Sequence, residues 1–465
     1  MQERSNFKVA RNAMAALSAT ALLCGMVAAR AISQSHADRA CPESGVRWTE
    51  PVTRAGVNFA WPELALGQEA AYAFAFVRAG APGASRGIAA LQRGTEELGM
   101  PPGAIDFYDP VLAVDRAGTL HAVWGEHAAG PARNPNPSGL PRMADLTRLG
   151  RILHAERRNG RWSDARVVYR APAISWHRAL LTRLELDGGG NLHVAFITRP
   201  SSGMNMLVHL RRGPDGWRTT EWVAARPRGA GTGPVSDTMI PMSGGTYPSI
   251  AAGEGRRTYL AFASPAFPIS GGSKFGGDTN SLWVRRSDDA GLTWGGPVLV
   301  HRSGNVGGYE PKVVATGGDT VHLIWRTQVD QRFGRDEIRH AISTDGGVTW
   351  ASPIQVRLPG PYPVRHLRVV ATTKGELYIA FGHQPANLPD SVKSKPGPVN
   401  DQIFYAHWRP FGWSVPQPLR PELHVHPFDL RIDGADRLHL LWAFQASANS
   451  PRRLQSYAVG SPCAS

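Results

Sequence analysis

Cysteine is scarce, with three in 465 residues. That excludes a disulfide-dense scaffold and a zinc-ribbon framework. Lysine is scarce too: Lys8, Lys274, Lys312, Lys374, Lys393 and Lys395 are the six among 51 Lys+Arg. The cations are scattered, so a formal charge of +14 comes without the clustered basic face of a nucleic-acid binder, and no nucleic-acid partner is expected. Charged residues are 19% against 42% apolar, which excludes a disordered chain. No apolar run reaches the ~20 residues of a membrane-spanning helix, so no transmembrane anchor is expected.

What is present begins with a leader. Arg4, Lys8 and Arg11 precede an apolar stretch, Met14 to Ala29, and Ala29-Arg30-Ala31 has the small-x-small form of a cleavage site. Residues 1–31 therefore read as a signal peptide, and the product as exported to a periplasm or the exterior. The 51 Gly and 37 Pro imply many turns.

One pattern recurs six times: an alternating apolar strand, a polar turn, and a second apolar strand ending in Trp or Phe. The copies are Pro110–Trp124, Arg183–Phe196, Pro248–Phe262, Pro311–Trp325, Leu367–Phe381 and Phe428–Trp442. Three positions before each final aromatic stand His121, His193, Tyr259, His322, Tyr378 and His439. Period-two alternation about a turn is a β-hairpin signal. A residue type tied to the repeat points to packing rather than chemistry. A third strand, a tight turn and a fourth short strand follow most copies. Four strands at a fixed period describe a blade of a β-propeller, so the expected fold is all-β and six-bladed.

Two of the tight turns share the pattern S-x-D-x-G-x-T-W: Ser287, Asp289, Gly291 and Trp294 in one, Ser343, Asp345, Gly347 and Trp350 in the other. The carboxylate can accept backbone N–H groups across the turn, and glycine takes the positive φ. His154–Trp162, His209–Trp217 and Tyr405–Trp413 are degenerate versions. The pattern resembles the Asp-box, or BNR repeat, of the sialidase superfamily, where it is structural. The resemblance covers nearly all of residues 41–465 and implies a sialidase-like propeller.

The sixth copy is short of residues. Val46–Val52 resembles the outer strand of other blades, with Arg47-Trp48-Thr49 matching Arg161-Trp162-Ser163. Pairing it with the last blade closes the ring and removes open edges. It also brings Cys41 and Cys463 together as an expected disulfide. Residues 56–108 break the period and read as an irregular insertion or a divergent blade.

In a propeller the loops leading into each first strand and out of each second strand meet at one mouth of the channel. Here those positions are polar. The lead-ins hold Asp109; His177 and Arg178; Tyr247; Tyr309 and Glu310; Arg365 and His366; His424 and His426. The exits hold Glu126 and Arg326. One H-x-H without a third ligand does not make a metal site, and no metal or cofactor is expected.

The family resemblance implies three Arg for a sugar carboxylate, a Tyr nucleophile paired with Glu, and an Asp acid/base. Arg178, Arg326 and Arg365 are the candidates for the first task, whose forked geometry suits a carboxylate. Tyr309, Glu310 and Asp109 are the catalytic candidates, with His177, His366, Tyr247 and Glu126 as further substrate contacts. The chain departs from the family in three ways. The Phe/Tyr-Arg-Ile-Pro signature is absent, and no Tyr leads into the last blade. Tyr309 and Glu310 are also neighbours, whose side chains point to opposite faces unless a bulge intervenes. The leading expectation is a monomeric glycoside hydrolase acting on terminal acidic sugars of a carbohydrate or glycoconjugate. The alternatives are a non-catalytic propeller binding a glycan or protein, and a polysaccharide lyase.

Overall fold

The computed structural model describes residues 46–55, 62–67, 71–75, 87–90, 96–99, 101–103, 108–127, 149–170, 182–198, 206–225, 239–241, 248–264, 281–303, 307–330, 335–383, 402–409, 412–419, 425–445 and 453–463. Two compact units divide the chain. Trp48–Pro462 holds the sheets, and the described part of the other is Val46, Arg47 and Cys463.

The architecture is an all-β propeller, and every one of the six repeat copies forms an antiparallel hairpin within its own sheet. Blade one runs Tyr108–Val114, Leu120–His127, Leu149–Arg158 and Arg161–Trp162, with Arg166–Arg170 also on its third strand. Blade four shows the plain pattern: Gly308–Ala315, Val321–Asp330, Arg335–Ser343 and Ile354–Val356, paired in that order. Blade six has Val425–Ile432, Leu438–Gln445 and Arg453–Pro462 and takes its outer strands from the start of the chain, which closes the ring. Val52–Ala55 pairs antiparallel with Leu454–Tyr457, and the Thr49 N–H donates to the Val459 carbonyl at 2.8 Å. Trp48 meets the Tyr405 ring of blade five edge-on at 5.8 Å. No helix among the described residues is long and apolar enough to cross a membrane.

The stretch that broke the period forms a further four-stranded sheet: Leu64–Leu66, Ala71–Ala75, Gly87–Ala90 and Glu96–Glu97. Its Leu64 and Ala71 pack with Leu441 and Tyr457 of blade six. Its Ala65 shares a second cluster with Leu112, Trp124 and Leu153 of blade one. It therefore packs between the sixth repeat blade and the first, as a further sheet beside the six repeat blades.

The core lies between blades. Val111, Val123 and Ile152 of blade one pack on Leu184, Val194 and Phe196 of blade two. Blades two and three, three and four, and four and five are joined the same way. The aromatics closing each second strand (Trp124, Phe196, Phe262, Trp325, Phe381 and Trp442) are all buried. Each is worth about 1.5–3 kcal/mol of burial.

The repeat-position His and Tyr are buried brackets at the hairpin-turn end of the blades. In blade two, His193 Nε2 lies 3.2 Å from Asp187, whose carboxylate only accepts, so Nε2 carries the proton. Nδ1 is then the acceptor for His209 Nε2–H on the third strand, at 3.1 Å. His121 sits likewise between Asp115 and His154, and His439 between Asp433 and Tyr457. His322 bridges Thr316 and His340. Burial lowers the His154 imidazole to about 2, His340 to about 3 and His322 to about 4.

The two Asp-boxes repeat one another closely. The Ser287 hydroxyl donates to Asp289 at 2.8 Å and accepts the Gly291 N–H at 2.8 Å, and Asp289 accepts the Thr293 N–H at 2.8 Å. Ser343, Asp345, Gly347 and Thr349 reproduce this at 2.8, 2.8 and 2.9 Å. Each box packs on the preceding blade. Trp294 meets His209 edge-on at 5.0 Å, and the added Cβ of an alanine at Gly291 would lie 2.8 Å from the same ring.

Candidate ligand site on the propeller axis

The residue ten positions before the repeat His or Tyr borders one axial cavity in all six copies: Val111, Arg183, Ser249, Lys312, Arg368 and Asp429. With Glu63, Glu185 and Arg431 they line a cavity of about 380 Å³ on the axis. Alternation puts the intervening residues into the blade cores, which leaves this column free to vary.

Asp429 is the hub. Its side chain is fully buried, and it accepts from three guanidinium groups: Arg183 Nη2 at 2.8 Å, Arg368 Nε at 3.2 Å and Arg431 Nε at 3.1 Å. The Leu64 N–H donates to its second oxygen at 2.9 Å. These partners come from blade two, blade five, blade six and the additional sheet. Burial pushes the Asp429 carboxyl up, but Arg431, Arg183, Arg368 and the Leu64 N–H hold it well below the usual carboxylate range. Arg431 also contacts Glu63. Burial, with the negative Asp429 beside it, raises Glu63 to about 7 in spite of Arg431. Burial also raises Glu185. Burial, reinforced by Arg368, lowers the Lys312 ammonium to about 8. Among the described residues no hydrogen-bond or ion-pair partner is seen for Lys312.

At one end of the cavity a second charged group forms. The pairing register shifts between Tyr309 and Lys312, and Glu310 takes φ 51°. This bulge is the device that frees Tyr309 and Glu310 from strict alternation. Arg326, on the next strand, lies 3.6 Å from Glu310 and 3.1 Å from Asp336, and its guanidinium carbon is 5.3 Å from the centre of the Tyr309 ring. Burial pushes Glu310 up, but Arg326, Lys312, His366 and Arg368 outweigh it and keep the carboxyl low. Blade five has the same bulge between Arg365 and Arg368, with His366 at φ 55°.

The structure thus brings together Tyr309, Glu310 and Arg326, and places Arg365 and His366 on the adjoining strand. Asp109 sits in the equivalent bulge of blade one, and Glu126 pairs with Arg151 in its second strand; their backbones alone are described. His177, Arg178, Tyr247, His424 and Cys41 lie outside the described residues. Arg183, Arg368 and Arg431 form a guanidinium triad on the axis, while the expected set of Arg178, Arg326 and Arg365 includes Arg178, which lies outside the described residues. The triad's members lie on or beside first strands, away from the loops that usually carry binding residues. The signal was there: the aligned column reads Val, Arg, Ser, Lys, Arg, Asp, where a structural position would repeat.

No family model and no curated protein matches this sequence. Among solved structures the chain is distantly similar to a Dyadobacter fermentans protein of unknown function, at 14% identity over 89% of this chain and 99% of that one, TM-score 0.43. It is similar to an α-L-arabinanase of Penicillium chrysogenum at 13% over 77% and 95%, TM-score 0.43. It is also similar to a Trypanosoma rangeli sialidase at 12% over 78% and 56%, TM-score 0.40.

Proposed function

We propose that the protein is an exported, sialidase-like glycoside hydrolase that takes the terminal acidic sugar of a glycan into its axial cavity. The observation that carries this is the juxtaposition on one axis of an ammonium, Lys312, with no ion-pair partner among the described residues, and carboxyl groups pushed in opposite directions. Lys312, beside Arg368, supplies charge for a sugar carboxylate. Glu63, raised to about 7, is protonated in part at neutral pH and suits a general acid. Glu310, held ionised, suits the base or carboxylate role at the bulge, with Tyr309 adjacent. Export through residues 1–31 and a Cys41–Cys463 disulfide belong to the same reading.

The test is release of a fluorophore from an α-sialoside and from a uronide by the mature protein. Glu63→Gln is expected to lower kcat by about 10²–10⁴-fold with folding intact, and Lys312→Met to raise KM. Turnover unchanged in Glu63→Gln overturns the acid assignment. A second reading, glycan binding without hydrolysis, is favoured by Asp429, because an internal carboxylate already occupies the three guanidinium groups. Retention on an acidic-glycan column without release selects it. Neither release nor retention overturns both.

A further inference from the structure

We infer that blade one carries a divalent transition-metal site, of the Zn²⁺ type, at its hairpin-turn end, formed by His121, His154 and Glu156. The placement follows from strand geometry. His154 and Glu156 are two apart on the third strand and so share a face. His121 on the second strand is the direct register partner of Glu156. Cross-strand partners and their i±2 neighbours lie within reach of one centre. One ligand atom from each, two imidazole nitrogens and a carboxylate oxygen, all fall within 4.8 Å of one another.

The two facing nitrogens, His121 Nδ1 and His154 Nε2, are 3.2 Å apart. That matches the separation of about 3.3 Å between two nitrogens bound at about 2.0–2.1 Å to one tetrahedral ion. His121 turns its other nitrogen to the Asp115 carboxylate at 3.3 Å. A carboxylate behind the histidine is the usual outer support of a zinc ligand, fixing the ring's orientation. Two nitrogens and one oxygen with a position left open suit Zn²⁺, and imidazole also suits Cu²⁺ and Ni²⁺.

Blades two and four separate this site from an ordinary bracket. They hold the same paired imidazoles, His193 with His209 and His322 with His340, but opposite the second-strand His stand Arg211 and Ile342. Blade one alone of the three has a carboxylate there. Glu156 now rests against Arg212 and Arg158 (3.1 Å) and is partly exposed, so an ion has a way in and two cations to displace.

The test uses the full mature chain, stripped with a chelator and titrated with Zn²⁺ in competition with a chromophoric chelator. One tight equivalent per chain is expected. Glu156→Gln should weaken it at least tenfold, in line with losing one of three ligands, while Arg212→Ala should strengthen it by freeing the carboxylate. X-ray absorption of the Zn²⁺-loaded wild type should give a shell of two imidazoles and oxygen, a readout independent of how either variant folds. No tight equivalent in the wild type, equal affinity in Glu156→Gln, or a shell without two imidazoles overturns the assignment.

Discussion

At the hairpin ends, polar side chains recur from blade to blade: Asp115, Asp187 and Asp433 each hold a histidine that holds a residue of the third strand. On the axis the aligned column changes from blade to blade, and its charges find partners only across the ring, as Arg183 does with Asp429, 246 residues away. The first arrangement is local and complete within one blade. The second is assembled from four sheets, and among the described residues Lys312 and Glu185 feel opposite charges across the cavity but make no direct side-chain ion pair. Periodic polarity builds the blades, and aperiodic polarity is where a ligand can be recognised.

The largest separation between the two regions should come from removing one carboxylate in each. Asp429→Ala strands three half-buried guanidinium groups and the buried Leu64 N–H, and is expected to cost about 3–5 kcal/mol in urea or thermal unfolding. Asp187→Ala opens one bracket within one blade and should cost about 1–3 kcal/mol. Equal losses would break the distinction between ring-wide and local networks.

The pH response should divide them next. The bracket imidazoles of His154, His322 and His340 titrate below their ordinary range in the folded protein, so their stabilisation is complete above about 6.5 and is lost as pH falls. For His322 the loss runs from 6.5 toward about 4 and amounts to about 2–3 kcal/mol. Glu63 is raised instead, so its contribution is complete below about 4.5 and is lost as pH rises through about 7. Melting temperature against pH should therefore show an acid limb that His322→Gln flattens and a neutral limb that Glu63→Gln flattens. One limb answering to both variants would contradict the assignment.

Inside the brackets, Gly291 offers a finer test. It has φ 77°, and a Cβ would lie 2.8 Å from His209 and 3.0 Å from His193, two buried rings that cannot withdraw. Gly291→Ala should cost about 1–3 kcal/mol. Gly346 also has positive φ, yet its Cβ would meet the mobile end of Arg286, so Gly346→Ala should cost about 1 kcal/mol from the backbone alone.

What the sequence disclosed follows the same division. The hairpins, the Asp-boxes and the closing role of the Trp48 segment were legible because each copy repeats the same apolar alternation and turn chemistry. The Leu64 sheet was legible only as one of two readings of residues 56–108, since its strands are short and lack the His and terminal aromatic that mark the others. Tyr309, Glu310 and Arg326 were found as polar residues at a channel mouth, but the bulge that lets them share a site leaves no mark in composition. Asp429 and its three arginines were passed over because each looked like an isolated charge in a strand, and only folding joins residues 183, 368, 429 and 431.

The smallest effect is expected where polarity is neither bracketed nor axial. Arg257 contacts Asp319 of the next blade and lies 3.7 Å from Asp288, and all three side chains are at least 30% exposed. The carboxylates raise the guanidinium's affinity for its proton, yet water and salt screen such a pair. Arg257→Ala should change stability by less than about 1 kcal/mol, and in about 1 M salt, where the Debye length is about 3 Å, by an amount too small to measure. A loss comparable to that of Asp187→Ala would mean that the outer turns also hold the blades together. The contrast would then lie between the axis and everything else, rather than between periodic and aperiodic charge.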